Sequence, residues 1–237
     1  MKEGATRHPP SAVLFWDIDG TLLTTSRAGI AAWEGSVEAL TGRKISLEDY
    51  PTAGLTDVEI ASLLANEVGD SSASTVLRLL GGYEDRLPGC LPQRTGSTMP
   101  GVIEVLDRLC SMPWVHSTLL TGNTRRGAAA KLEHYRLDRY FAGGTFSDDL
   151  PDRPSIARCA VEMVEQRFGF LLRERMFVIG DTPHDIHCGK AVGVRTVAVC
   201  TGDHDHAVLA THDPWLILES LADVDQFFAA LDLIQQQ

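Results

Sequence analysis

Lysine is scarce in this chain: Lys2, Lys44, Lys131 and Lys190 are all it has, against a formal net charge of −11 over 237 residues. Proteins that grip a phosphate backbone need clustered Lys and Arg, so this balance excludes nucleic acid as a natural partner. Long apolar runs are also missing. Nothing approaches the roughly 18 residues of a spanning helix, and MKEGATRHPP carries no apolar stretch of signal-peptide length before the first acidic cluster. A soluble, cytoplasmic protein without a membrane partner is the expectation. No CxxC pair occurs among Cys90, Cys110, Cys159, Cys188 and Cys200, which reads as reduced thiols rather than a zinc or redox centre. GxGxxG and GxxxxGK[ST] are absent too, which removes the dinucleotide and P-loop readings.

What is present is an ordinary globular composition, 44% hydrophobic and 22% charged, long enough for one or two domains. Residues 1 to 11 read as a polar, proline-containing disordered tail. The run AVLFW (12–16) is continuously apolar, as a strand buried on both faces of a parallel sheet should be. VHSTLL (115–120), MFVIG (176–180) and RTVAVC (195–200) are similar runs, each followed by helical material. Alternating β and α segments predict an α/β core: a doubly wound parallel sheet with helices on both faces.

Between Leu23 and Met99 that rhythm stops. Helices are expected near Ala28–Leu40, Thr56–Val68 and Ser72–Arg86, the second opened by a capping box of Thr56 and Glu59. Connections between β and α elements usually take about 2 to 6 residues. A stretch this long implies an inserted helical cap over residues 24–97, with the core built discontinuously from 1–23 and 98–237. Trp33 and the segment Ala53–Asp57 lie in that cap, where either packing or substrate contact would explain them.

Chemistry concentrates at the ends of three predicted strands. Asp17 and Asp19 follow the first, and at spacing i, i+2 on extended backbone they point the same way. Thr121, Gly122 and Asn123 follow the second, where a hydroxyl and successive N–H groups at a helix start form an anion site. Asp181 and Asp185 follow the third. Open α/β sheets bind ligands outside the carboxyl ends of their strands, which is where all three clusters fall. Each alone has a plain explanation as a turn or helix cap.

Taken together, Asp17-Ile18-Asp19-Gly20-Thr21, Leu119-Leu120-Thr121-Gly122-Asn123 and Gly180-Asp181-Thr182-Pro183-His184-Asp185 resemble the haloacid dehalogenase superfamily of aspartate-nucleophile phosphohydrolases, in its phosphoglycolate phosphatase-like branch with a helical cap. The resemblance implies a Rossmann-like core, Asp17 as nucleophile and Asp19 as general acid and base. It further implies substrate phosphate bound by Thr121, Gly122 and Asn123, and Mg²⁺ held by Asp17, the carbonyl of Asp19, Asp181 and, as ligand or outer partner, Asp185. The family's usual lysine between the second and last signatures is missing. None of the four lysines fits that position, and Arg153 in SDDLPDRPSIARCA is the best substitute, with Arg158 weaker.

The expected activity is hydrolysis of a small phosphorylated metabolite by a monomer or homodimer. The superfamily's carbon–halogen hydrolases lose the second acid of the first signature, whereas Asp19 is retained here. A phosphomutase uses the same pair, phosphonate cleavage would need Lys44 as a Schiff-base lysine, and a dormant binding module on this fold is the non-enzymatic alternative. His204, His206 and His212, interleaved with Asp203 and Asp205, match no standard zinc spacing and read as a solvated loop.

Overall fold

The computed structural model describes residues 9–233, apart from 49, 51, 149 and 151. Most of the expected N-terminal tail therefore lies outside the described residues. Ser11, the last residue of that expected disordered tail, is docked instead: both its N–H and its hydroxyl donate to the Trp114 carbonyl, at 2.7 and 3.1 Å.

In chain order the elements are β1 (Ala12–Trp16), β2 (Leu23–Thr24), α1 (Ala28–Thr41), α2 (Asp57–Glu67), α3 (Ala73–Cys90), β3 (Ser97–Thr98), α4 (Val102–Cys110), β4 (Val115–Leu120), α5 (Arg125–His134), β5 (Gly144–Thr145), α6 (Arg153–Phe168), β6 (Met176–Gly180), α7 (Pro183–Ala191), β7 (Arg195–Val199), α8 (His206–Ala210), β8 (Leu216–Leu218) and α9 (Val224–Ala230). Six strands form one sheet in the order β5-β4-β1-β6-β7-β8, every pairing parallel. Because β1 pairs with β4 on one side and β6 on the other, strand order reverses beside it. This is the doubly wound core that the sequence predicts.

Alternate residues of β1 feed different faces. Leu14 and Trp16 pack with Val105 and Leu106 of α4, Leu132 of α5 and Phe227 and Phe228 of α9. Val13 and Phe15 pack with Ile156, Ala160 and Val164 of α6 and with Cys188 of α7. A strand apolar at every position is thus satisfied on both sides.

Helices α1, α2 and α3 have a hydrophobic core of their own, built on Trp33, Val37, Ile60, Leu64, Leu79, Tyr83 and Leu87. Thr56 and Glu59 form the expected capping box at the start of α2. The two chain crossings between these helices and the sheet run side by side, Leu23 and Thr24 pairing antiparallel with Thr98 and Ser97. The expectation of no strand between Leu23 and Met99 is corrected to that extent: the linker around Ser97 is a short ribbon. Asp205 and His206, read as solvated loop, are the N-cap and first residue of α8.

Candidate active site

Strands β1, β4 and β6 are neighbours in the sheet, so the segments leaving their C-terminal ends converge. Asp17 follows β1 with its N–H bonded to the Ile179 carbonyl at 3.0 Å, which fixes it against β6. Asp181 follows β6, and Asp185 lies one turn into α7. Carboxylate oxygens of Asp17, Asp181 and Asp185 all lie within 4.8 Å of one another, and the three residues are buried.

Space for this crowding comes from glycine. Gly20 adopts φ +78°, and a Cβ there would stand 2.2 Å from Asp181 Oδ2. Gly202, after β7, would place one 1.8 Å from the same oxygen. Thr21 donates its hydroxyl to Asp181 Oδ1 at 2.8 Å, which orients that carboxylate. Asp185 is held by Thr182: the Thr182 hydroxyl and N–H both donate to Oδ2, at 2.6 and 3.0 Å, in the capping box that opens α7.

Acids this close raise the proton affinity of Asp17 and Asp181. Burial first, then Asp185 and Asp19, push Asp17 up to about 6, while Arg153 pulls it back. Burial, Asp185 and Asp17 push Asp181 well above the carboxylate range. The cationic counterpart is the side chain expected from the sequence. Arg153, at the first position of α6, places Nη1 2.6 Å from Asp185 Oδ1 and Nη2 3.6 Å from Asp17 Oδ2. Burial disfavours its charge, but Asp185 and Asp17 overcome that and hold it protonated.

The donor set suits a hard dication. All candidate ligands are oxygens, and Asp17 Oδ1 is buried without a hydrogen-bond partner, a costly state unless a positive group meets it. Among the described residues Asp17 Oδ1 is left unengaged and Asp181 is bonded through Oδ1, whereas both oxygens of Asp185 are taken by Arg153 and Thr182.

The second cluster closes the site. Asn123 donates through Nδ2 to Thr121 Oγ1 at 2.9 Å and to Asp19 Oδ2 at 2.8 Å. Gly122 lies under the helical insertion: a Cβ there would meet an Arg153 Nη2, the Leu55 carbonyl and Thr56 Cα, each at 3.1 Å. Asp17, Asp19, Thr121, Gly122, Asn123, Arg153, Asp181 and Asp185 are thereby brought together beyond the C-terminal ends of β1, β4 and β6.

A family model described as haloacid dehalogenase-like hydrolase matches residues 13–199. The chain belongs to this family. Among its relatives are the phosphoglycolate phosphatase of Agrobacterium fabrum, 25% identical over 94% of this chain and 92% of that protein, and phosphoglycolate phosphatase 1 of Pseudomonas aeruginosa, 27% identical over 93% and 80%. The fold of this haloacid dehalogenase-like hydrolase is shared with CbbY from Rhodobacter sphaeroides, solved in complex with phosphate, at TM-score 0.72 and 18% identity over 90% and 96% of the two chains.

Two further residues of the hydrolase's candidate site have no assigned role in the sequence. Lys131 was set aside as a residue of the helix after Thr121. It is buried, with Nζ 2.6 Å from both Asp19 Oδ2 and Asn123 Oδ1. The signal was there, because Thr124, Gly127, Ala128 and Lys131 share one face of α5 at spacings of three and four. Asp57 ends the segment for which the sequence leaves a helix start and substrate contact equally open. Its N–H donates to the Gly122 carbonyl at 2.8 Å and its Oδ2 accepts the Thr124 N–H at 2.8 Å, so the start of α2 is bonded directly to the β4–α5 turn. Those contacts join residues that are 65 and 67 positions apart, which no local pattern announces. Trp33, by contrast, faces away into the insertion's core, stacked on Tyr83 with ring centroids 4.1 Å apart.

Proposed function

We propose that this phosphatase is Mg²⁺-dependent and hydrolyses a small phosphorylated metabolite through a phosphorylated Asp17. The enzyme is a haloacid dehalogenase-like phosphatase; the substrate size, the metal and the residue roles are the proposal. Phosphoryl transfer asks for an in-line nucleophile and for compensation of charge on the phosphoryl oxygens. The Asp17 carboxylate attacks phosphorus, and the bond to the leaving oxygen breaks as Asp19 donates its proton to that oxygen. Asp19, now a carboxylate, takes a proton from the water that attacks the phosphoaspartate, which releases inorganic phosphate and regenerates Asp17.

Asp17, the Asp19 carbonyl and Asp181 would hold Mg²⁺, with Asp185 as an outer partner that fixes Arg153. The ion would supply positive charge where three acids otherwise repel a phosphate, and chemistry as a Lewis acid on a phosphoryl oxygen. Thr121 and the N–H of Gly122 would receive phosphoryl oxygens, and Arg153 would add a guanidinium beside the nucleophile. Asn123 would act chiefly through its side chain on Asp19 and Thr121, because its own N–H already donates to Thr121 Oγ1 at 3.3 Å. We further read residues 24–97 as a cap whose docking on Gly122 excludes water during transfer.

The observation that carries this reading is the buried acidic trio with an unpartnered Asp17 oxygen beside Arg153. Phosphate release should be screened over phosphoglycolate, phosphorylated sugars, nucleotides and phospho-cyclitols, with and without Mg²⁺. Turnover of at least one small monoester is expected to require the metal and to fall at least about 10³-fold in Asp17→Asn. Near-native turnover in that variant would sink the mechanism.

A further inference from the structure

We infer that Lys131 is a positioning residue for Asp19: together with Asn123 it pins one carboxylate oxygen so that the other faces the leaving group. The inference rests on the reading of Asp19 as acid and base and adds a residue to it. Lys131 Nζ and Asn123 Nδ2 both donate to Asp19 Oδ2, at 2.6 and 2.8 Å. Lys131 also donates to Asn123 Oδ1 at 2.6 Å, which closes a triangle among the three side chains. Among the described residues no hydrogen bond reaches Asp19 Oδ1. The Asp19 side chain is 42% exposed while that of Lys131 is 6% exposed, so the ammonium end of the clamp is buried while the carboxylate stays partly open to solvent.

Packing gives no reason for an ammonium here. Lys131 shares its face of α5 with Gly127, Ala128 and Leu132, where an aliphatic side chain would serve. A buried Lys is expensive unless matched by opposite charge. Asp19 on one side and Asp57, itself anchored on the Thr124 N–H, on the other supply that match and keep the amine protonated despite burial. What the arrangement provides is orientation. The terminal torsion of Asp is broad and nearly two-fold, so an unclamped carboxylate would exchange its oxygens and tilt. Proton transfer in the transition state needs one oxygen held within hydrogen-bond reach of the leaving atom.

The test compares first-turnover rates on two monoesters: p-nitrophenyl phosphate, whose acidic phenol leaves without a proton, and an alkyl phosphate, whose alkoxide does not. Lys131→Met, which keeps length and burial, is expected to slow the alkyl ester about 10²-fold in kcat with KM nearly unchanged. First-turnover release of nitrophenol should change less than about 10-fold. It should appear as a burst followed by slow turnover, because water activation by Asp19 is also impaired. Lys131→Arg should recover part of the alkyl rate.

Equal losses on both esters, or no loss, in a variant with native-like thermal unfolding would overturn the proposal. Lys131→Gln keeps a donor and provides a second reading should the Met variant misfold; if neither folds, Lys131 is structural and the proposal fails. Asp19→Asn separates the two levels. If it shows no selectivity between the esters, the acid–base reading itself is wrong; if it does and Lys131→Met does not, only the positioning role is lost.

Discussion

Asp57 shows how a single residue can tie stability to pH in this enzyme. Burial pushes its carboxyl up to about 7, with Lys131 and the Thr124 N–H pulling it back. In the unfolded chain the same group titrates near 3.9. Between about pH 4 and pH 7 the unfolded chain therefore sheds a proton that the folded protein retains, and stability falls as pH rises across that window and levels off above it. Asp57→Asn keeps the shape and an acceptor for Thr124 without the titration. At fixed Mg²⁺, its thermal stability relative to the parent should be higher at pH 8 than at pH 5, by up to about 3 kcal/mol. Unfolding curves at the two pH values check this, and an equal difference at both would contradict it. At this scale Asp17, Asp181 and Thr121 were legible in the sequence because each is displayed at the end of an apolar run. The pairing of Lys131 with Asp19 and of Asp57 with Thr124 was hidden, because these residues lie 112 and 67 positions apart along the chain.

Among the elements, the three-helix insertion depends on one aromatic stack. Trp33 of α1 lies parallel to Tyr83 of α3, both nearly fully buried. Trp33→Ala leaves a large cavity between the helices and should cost about 3 to 5 kcal/mol in unfolding measurements. Loss of turnover should accompany it, since α2 delivers Leu55, Thr56 and Asp57 to the cleft. The helices were readable from periodicity and caps, as the box at Thr56 illustrates. Their ends were less so: α3 continues past Arg86 through Pro88 to Cys90, because burial of Leu87 and Leu91 holds a last turn that proline disfavours. Strands β5 and β8 and helix α9 were not anticipated. The strands are two and three residues long and exist because a neighbouring strand presents a free edge, which sequence alone does not display.

For the molecule as a whole, the proposed metal would make folding and ion binding one equilibrium at the acidic trio. A chain of net charge −11 concentrates three buried carboxylates at the meeting of β1 and β6, and a dication that binds only the folded state stabilises it by mass action. Mg²⁺ at about 100 times its dissociation constant should add about 2.7 kcal/mol, a rise in Tm of about 5 to 10 °C for a protein of this size. Calorimetry with and without Mg²⁺ reads this directly. Asp181→Asn should abolish most of the shift while raising stability without metal, because a neutral side chain relieves repulsion among the acids. A metal-independent Tm in the parent protein would contradict the proposed cofactor.

The sequence by itself determined the parallel α/β core, the interruption by helices after the first strand and the identity of the acidic groups. Those properties are local: apolar runs that must be buried on both faces, helical spacing with caps, and polar residues placed where strands end. Only the tertiary structure decided how the acids are balanced. Arg153 reaches Asp17 and Asp185 because α6 begins beside β1 and β6, and Lys131 reaches Asp19 because α5 packs its inner face under the β1 turn. Charge pairing acts through space over a few ångströms, and sheet order, not chain order, sets which distances are that short.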